Sequence, residues 1–247
     1  MGDFMKSPMK CAAIKALIFD IDGTLVDSFD VYHGVFNQGI ADFAIGEVSR
    51  DVLRELLAKN LSLREILQTV FPIPVDDAKY KTCREKILRL YREAELEGVK
   101  SFPGTEELFR YLQGAGIKIG IATGRMSSVE DEWVRFRRLG LHLYITAIVT
   151  SREVQNRKPA PDVIIECARR LGIPPDQSAV VGDTESDIVA ARAAGAIAVS
   201  VTTGHEDEAA LRKAEPDIVL KSINDLIPYL KSFLFLEGAF YAISKSE

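Results

Sequence analysis

Six short apolar runs punctuate the chain, at residues 15–20, 117–123, 145–151, 178–183, 196–201 and 217–220. They are mostly continuous rather than alternating, as strands buried on both faces of a parallel sheet should be. Between them, apolar positions spaced by three and four predict helices over Thr105–Gln113, Ser127–Leu139, Pro161–Leu171 and Glu185–Ala194. Ser or Thr stands at helix starts and Gly at stops, where a side-chain oxygen caps free N–H groups and a glycine admits the left-handed turn. Strands and helices in alternation predict an α/β protein with a doubly wound, mostly parallel, Rossmann-like sheet.

Residues 28–99 break this rhythm. They hold no convincing strand, and they are too many for a loop inside a compact domain. Their apolar spacing is helical around Val52, Leu53, Leu56 and Leu57 and again around Ile87, Leu88, Leu90 and Tyr91, with Phe71-Pro72-Ile73-Pro74 as punctuation between. An all-helical unit at 28–99 is therefore expected to interrupt a core made of 1–27 and 100–247, on the side where the first strand ends.

Composition narrows the function classes. The 247 residues are 47% hydrophobic and 27% charged, an ordinary folded composition, and the net charge of −5 gives no general attraction for nucleic acid or anionic lipid. An anionic ligand would have to be met locally. Cys11, Cys83 and Cys167 are odd in number and have no zinc or disulfide spacing, which fits a reducing compartment. The N-terminus lacks an apolar export segment, and the run from Phe233 to Ile243 is too short to span a bilayer. The expected location is cytoplasmic, without membrane or nucleic-acid partners; a monomer and a homodimer both stay open, and the aromatic Phe233–Tyr241 segment suits either core packing or a dimer contact.

Four clusters carry candidate chemistry, each just after an apolar run or just before a helix. In Leu17-Ile18-Phe19-Asp20-Ile21-Asp22-Gly23-Thr24, the first strand delivers Asp20 at its carboxyl end, and Asp22 lies one strand period further on. Two close carboxylates repel unless a cation or a shared proton offsets them, so the pair points to a metal or to acid/base work. Gly182-Asp183-Thr184-Glu185-Ser186-Asp187 brings more carboxylates to the same edge, with Thr184 or Ser186 also placed to cap a helix. That many hard oxygen ligands suit Mg²⁺. Thr123-Gly124-Arg125 sets a hydroxyl and backbone N–H groups at the start of a helix, an anion cradle. Lys158-Pro159 can supply a fixed positive charge.

Taken in order, these residues resemble the haloacid dehalogenase superfamily of phosphatases and related enzymes. The DxDGT signature stands at Asp20–Thr24, the second-motif Thr at 123, the third-motif Lys at 158 and the GDxxxD motif at Gly182–Asp187. The resemblance implies that residues 28–99 are a helical cap of the C1 type and that Asp20 is a nucleophile forming an aspartyl-phosphate while ligating Mg²⁺. It further implies Asp22 as general acid/base, touching the metal through its backbone carbonyl. Thr123 and Lys158 would bind the transferring phosphoryl group, with Gly124 and Arg125 of the anion cradle as further phosphate or substrate ligands by the reading above; Asp183 would complete the metal site, and Asp187 would be a direct or outer-shell ligand. An Asp at position 22 favours phosphate monoesters over the superfamily's dehalogenases, and Gly182-Asp183-Thr184 looks more like the phosphoglycolate phosphatase group than the β-phosphoglucomutase group.

The expectation is thus an Mg²⁺-dependent phosphatase acting on a small phosphorylated metabolite, phosphoglycolate or a sugar phosphate. A phosphomutase using the same intermediate is one alternative, and a non-catalytic phosphometabolite-binding protein is another. Substrate choice should lie in the cap, where Lys59 is a candidate for a substrate carboxylate or second phosphate and Arg50 and Arg54, spaced i to i+4, are further candidates. Arg135, Arg137 and Arg138 read as a solvated basic face, and His33, His142 and His205 show no metal spacing.

Overall fold

A computed structural model describes residues 14–43, 46–58, 61–72, 74–204 and 206–236. Among the described residues six parallel strands form one sheet: β1 (Ala16–Phe19), β4 (Lys118–Thr123), β5 (Ile145–Thr150), β6 (Ser178–Gly182), β7 (Ile197–Val201) and β8 (Ile218–Leu220). Their spatial order is β5-β4-β1-β6-β7-β8. The chain therefore winds outward from β1 in one direction and then, after β5, restarts on its other side at β6. Open α/β sheets place ligands in the crevice beyond the strand ends at such a reversal.

Burial on both faces explains why the strands read as unbroken apolar runs. Alternate side chains of a strand face opposite ways: Leu17 and Phe19 pack with Leu108, Phe109, Leu112 and Phe136, whereas Ala16 and Ile18 pack with Val163, Ile164, Cys167 and Ile188. The first group belongs to helices α5 (Thr105–Gly114) and α6 (Val129–Arg138), the second to α7 (Asp162–Leu171) and α8 (Glu185–Ala194). The predicted core helices are all present, to within one or two residues at each end. Two additions escaped the pattern: helix α9 (Glu208–Lys213), too short to show a period, and an antiparallel ribbon of β2 (Val26–Asp27) with β3 (Lys100–Ser101).

Between the ribbon strands lie α1 (Phe29–Ile40), α2 (Arg50–Ala58), α3 (Leu63–Val70) and α4 (Asp77–Gly98). These helices bury their own cluster, with Phe36, Ile40, Leu53, Ile66, Leu67, Cys83 and Ile87 at its centre. Helix α3 opens on a capping box, Ser62 accepting from the Glu65 N–H and Glu65 accepting from the Ser62 N–H, and it stops at the Phe71-Pro72 punctuation. Val52, one of the apolar positions that predicted α2, faces solvent instead. Helix α10 (Leu226–Leu236) takes up the start of the aromatic C-terminal run, while Gly238–Tyr241 lie outside the described residues, as do Cys11, Lys59 and His205. Among the described residues no helix is long and apolar enough to cross a membrane.

Candidate active site

Asp20 is the first residue beyond β1, fixed by its own N–H donating to Val181 O across 2.9 Å. Strand pairing thus sets the carboxylate at the mouth of the crevice between β1 and β6. Lys158 reaches it from the loop before α7: Nζ donates to Asp20 Oδ1 at 2.8 Å, to Asp187 Oδ1 at 2.5 Å and to Ala122 O at 2.7 Å. All three ammonium donors are used, and the side chain is only 5% exposed. Burial works against its charge, yet Asp187 and Asp20 hold the ammonium above the ordinary lysine range. Asp20 responds oppositely: burial raises its pKa, Lys158 offsets part of that, and the balance stands at about 6.

Asp183 follows β6. Its Oδ1 accepts from the Thr24 hydroxyl at 2.9 Å, and its buried Oδ2 has no hydrogen-bond partner among the described residues. An orphaned buried carboxylate oxygen is costly. Two glycines make the room around it: a Cβ at Gly23, whose φ is +77°, would meet Asp183 Oδ2 at 2.3 Å, and one at Gly204 would meet it at 1.7 Å. Burial, followed by the Asp187 and Asp20 charges, pushes Asp183 well above the usual carboxylate range. Asp187 is occupied on both oxygens, Oδ1 by Lys158 and Oδ2 by the Thr184 N–H and hydroxyl at 3.2 and 2.6 Å, within the capping box that starts α8.

Asp20, Asp183 and Asp187 each present a carboxylate oxygen, these atoms lying within 4.8 Å of one another. A hard divalent cation fits this set: the donors are all oxygen, three carboxylates face one lysine, and Asp183 Oδ2 points at nothing else. The occupied oxygens of Asp187 suit an outer position, the free oxygen of Asp183 a direct one.

Asp22 lies just past the strand and pairs with a different cation. Arg125 Nε donates to its Oδ2 at 2.6 Å and Arg125 Nη2 to its Oδ1 at 2.5 Å, a bidentate pair. Burial alone would raise the Asp22 carboxyl, but the guanidinium overrides it and holds the pKa at about 2. Arg125 therefore sits with the carboxylate, not beside Lys158, and its Nη2 also donates to Tyr91 Oη on α4 at 3.1 Å.

The expected cradle at 123–125 needs correction. Helix α6 starts only at Val129, and its N-terminus is closed by its own capping box, Ser128 with Asp131. What remains for an anion is the loop itself: the Thr123 hydroxyl, which accepts from the Arg125 N–H at 3.2 Å, and the backbone around Gly124, whose carbonyl accepts from Arg157 at 3.0 Å. The basic face of α6 also divides. Arg137 and Arg138 are exposed, but Arg135 is folded in against Glu132, its Nε donating at 2.8 Å to a carboxylate with no exposure. A buried glutamate needs a cation, and Arg135 is one turn away.

In the helical unit, Arg50 pairs with Asp30, and the Arg54 guanidinium lies over the Phe29 ring, 4.5 Å from its centroid. Both line a small cleft beside Gly23, Thr203 and Gly204. A larger crevice of about 880 Å³ runs between α4 and α6, with Asp22, Tyr91 and Arg125 in its wall. Thr24, Tyr91 and Gly204 join this site without a sequence signal that marks them for it, save that Thr24 stands inside a recognisable motif.

The profile of the haloacid dehalogenase-like hydrolases matches residues 17–201. A phosphoglycolate phosphatase of Shigella boydii is 32% identical over 235 residues, covering 88% of this chain and 92% of its own. Among solved structures, a predicted phosphoglycolate phosphatase from Haemophilus somnus 129PT superposes with a TM-score of 0.77 at 19% identity, covering 88% of this chain and 98% of its own. CbbY from Rhodobacter sphaeroides, solved in complex with phosphate, gives a TM-score of 0.66 at 23% identity, over 86% and 96%.

Proposed function

The chain belongs to the haloacid dehalogenase-like hydrolases and is a phosphoric monoester hydrolase of that family; from this premise we propose that it hydrolyses a small phosphorylated metabolite of the phosphoglycolate or sugar phosphate type through an aspartyl-phosphate on Asp20. The observation that carries the reading is the bridge from Lys158 to Asp20 and Asp187, set beside the free oxygen of Asp183.

In this proposal Asp20 attacks the phosphorus through the oxygen that Lys158 leaves free, and the bond to the leaving alkoxide breaks as the Asp20–phosphorus bond forms. Asp22, which carries a proton only once it has left Arg125, gives it to that alkoxide; it then takes a proton from the water that attacks the aspartyl-phosphate, freeing inorganic phosphate and restoring Asp20. Lys158, the Thr123 hydroxyl and the N–H groups of the 123–125 loop receive the phosphoryl oxygens, whose charge is what such a site must neutralise. Asp20, Asp183, the backbone carbonyl of Asp22 and, directly or through water, Asp187 would hold Mg²⁺. Bound there, the ion would supply Lewis-acid stabilisation of the phosphoryl charge.

We read residues 28–99 as the cap over a core of 1–27 and 100–247, joined through the β2/β3 ribbon. The burial of a separate helical cluster and the pairing of Asp27 with Lys100 at its two ends support that reading. The reaction belongs in the cytoplasm, in keeping with the free, buried thiols of Cys83 and Cys167.

The test is phosphate release from a panel of phosphorylated metabolites after EDTA treatment, with and without added Mg²⁺. Release that stops with EDTA and returns with Mg²⁺ supports the proposal. Metal-independent release counts against the site, and an isomerised sugar phosphate without released phosphate points to a mutase.

A further inference from the structure

We propose that Arg125 determines specificity by receiving a second oxyanion on the phosphorylated substrate, a carboxylate or distal phosphoryl group, and that this exchange releases Asp22 for the leaving group. The inference rests on the phosphatase reading above and adds the chemical class of the substrate's far end.

Three observations carry it. First, the Arg125 guanidinium is bidentate on Asp22 at 2.6 and 2.5 Å, so the planar donor fork that suits a carboxylate or phosphate is already arranged, with an internal carboxylate in place. Secondly, the pair is accessible where a substrate would lie. Both residues line the crevice of about 880 Å³, the Asp22 side chain being 32% exposed and that of Arg125 13%. Thirdly, the guanidinium is held from both sides of the crevice. Tyr91 Oη on α4 accepts at 3.1 Å, and Glu132 Oε1 on α6 lies 4.0 Å away, so Arg125 keeps its place when Asp22 leaves.

The surrounding charge favours the same ligand. Arg84, Arg138 and Arg152 line the crevice and make no ion pair among the described residues. A crevice with unpaired guanidinium groups on its rim attracts a molecule carrying charge at both ends over one charged only at the transferring phosphate. Asp22 bound in the fork cannot deliver a proton to an alkoxide in the same orientation. A second oxyanion in the fork removes that constraint, whereas an ester charged only at its transferring phosphate leaves it in force.

The experiment compares kcat and KM for ethyl phosphate, 2-phosphoglycolate and ethane-1,2-diyl bisphosphate in the native enzyme, Arg125→Lys and Arg125→Gln, with Mg²⁺. The native enzyme should prefer the two doubly charged esters by about ten- to a hundredfold in kcat/KM, the scale of one charge-assisted bidentate contact. Arg125→Gln should bring that preference to within about threefold, by raising KM for the two doubly charged esters and raising kcat for ethyl phosphate as Asp22 leaves the fork, and Arg125→Lys should retain part of it as a point charge without the fork. The two charged esters separate a carboxylate from a phosphoryl receptor. A preference equal in native enzyme and Arg125→Gln overturns the inference while leaving the phosphatase reading intact; a native enzyme that hydrolyses none of the three overturns both.

A measurement on the native enzyme stands even if the variants fail to fold. Inhibition by 3-phosphonopropionate should exceed that by propylphosphonate by about tenfold, on the same bidentate scale, and equal inhibition constants overturn the inference.

Discussion

Lys158 and Asp20 lie 138 residues apart in the chain and 2.8 Å apart in the fold. The contact holds the loop before α7 against the end of β1, and the same ammonium serves Asp187 at the start of α8. Replacing it with an apolar isostere, Lys158→Met, strands three clustered carboxylates in a buried site. Without metal we expect a loss of about 3–5 kcal/mol in unfolding free energy, the scale for breaking a buried pair by removing one partner. A divalent cation should recover part of that loss by binding the folded state. Denaturant titrations with and without Mg²⁺ check both parts, and identical midpoints for native and variant would count against the bridge.

Asp20→Asn keeps the side-chain volume and removes the nucleophile's charge. Phosphate release should fall by at least about a thousandfold, as when a covalent catalyst loses its attacking group. The unfolding transition should stay cooperative, because Asn still accepts from Lys158. Undiminished turnover in a single-turnover assay would sink the aspartyl-phosphate.

Thr24 anchors Asp183 by the one hydrogen bond that its carboxylate receives from a side chain among the described residues. Thr24→Val preserves shape and leaves both Asp183 oxygens without a donor, at a cost of about 1–3 kcal/mol. Metal affinity should fall about 10–100-fold, the usual result of losing a partner that orients a ligand. Mg²⁺ dependence of turnover and calorimetric metal titration are the two readouts; unchanged values in both would remove Thr24 from the metal site.

Glu166 on α7 gives a pH prediction away from the metal cluster. Arg169 and then Arg170 donate to it, and together they hold its carboxyl at about 2. A depressed folded-state pKa stabilises the fold above the unfolded value near 4.5, and that contribution disappears as pH falls from there toward 2. The pairs are partly exposed, so screening leaves about 0.5 kcal/mol. Glu166→Gln should therefore lower the thermal midpoint at pH 7 and approach the native protein only near pH 2; a difference that persists unchanged into acid would disprove the ion-pair origin.

The amino-acid order alone encodes the strand and helix alternation of the core. Its signals are local: a buried parallel strand must be apolar at every position, and caps such as Thr184 with Asp187 act within one helical turn. It also determined which residues are chemically equipped for phosphoryl transfer, because Asp20–Thr24 and Gly182–Asp187 each stand at the end of such a strand. It did not reveal the β2/β3 ribbon, since two residues carry no period, nor that Arg135 turns inward to Glu132.

The partners of the site residues were decided only by tertiary structure. Arg125 meets Asp22 across 103 residues of sequence, and Thr24 meets Asp183 across 159. A side chain's spacing along its own helix or strand says which face it occupies; its pKa and its hydrogen bonds depend on what the sheet order brings opposite. The crossing from β5 back to β6 beside β1 is what places Asp183 against Thr24, Asp187 with Lys158 against Asp20, and so turns separate motifs into one electrostatic unit.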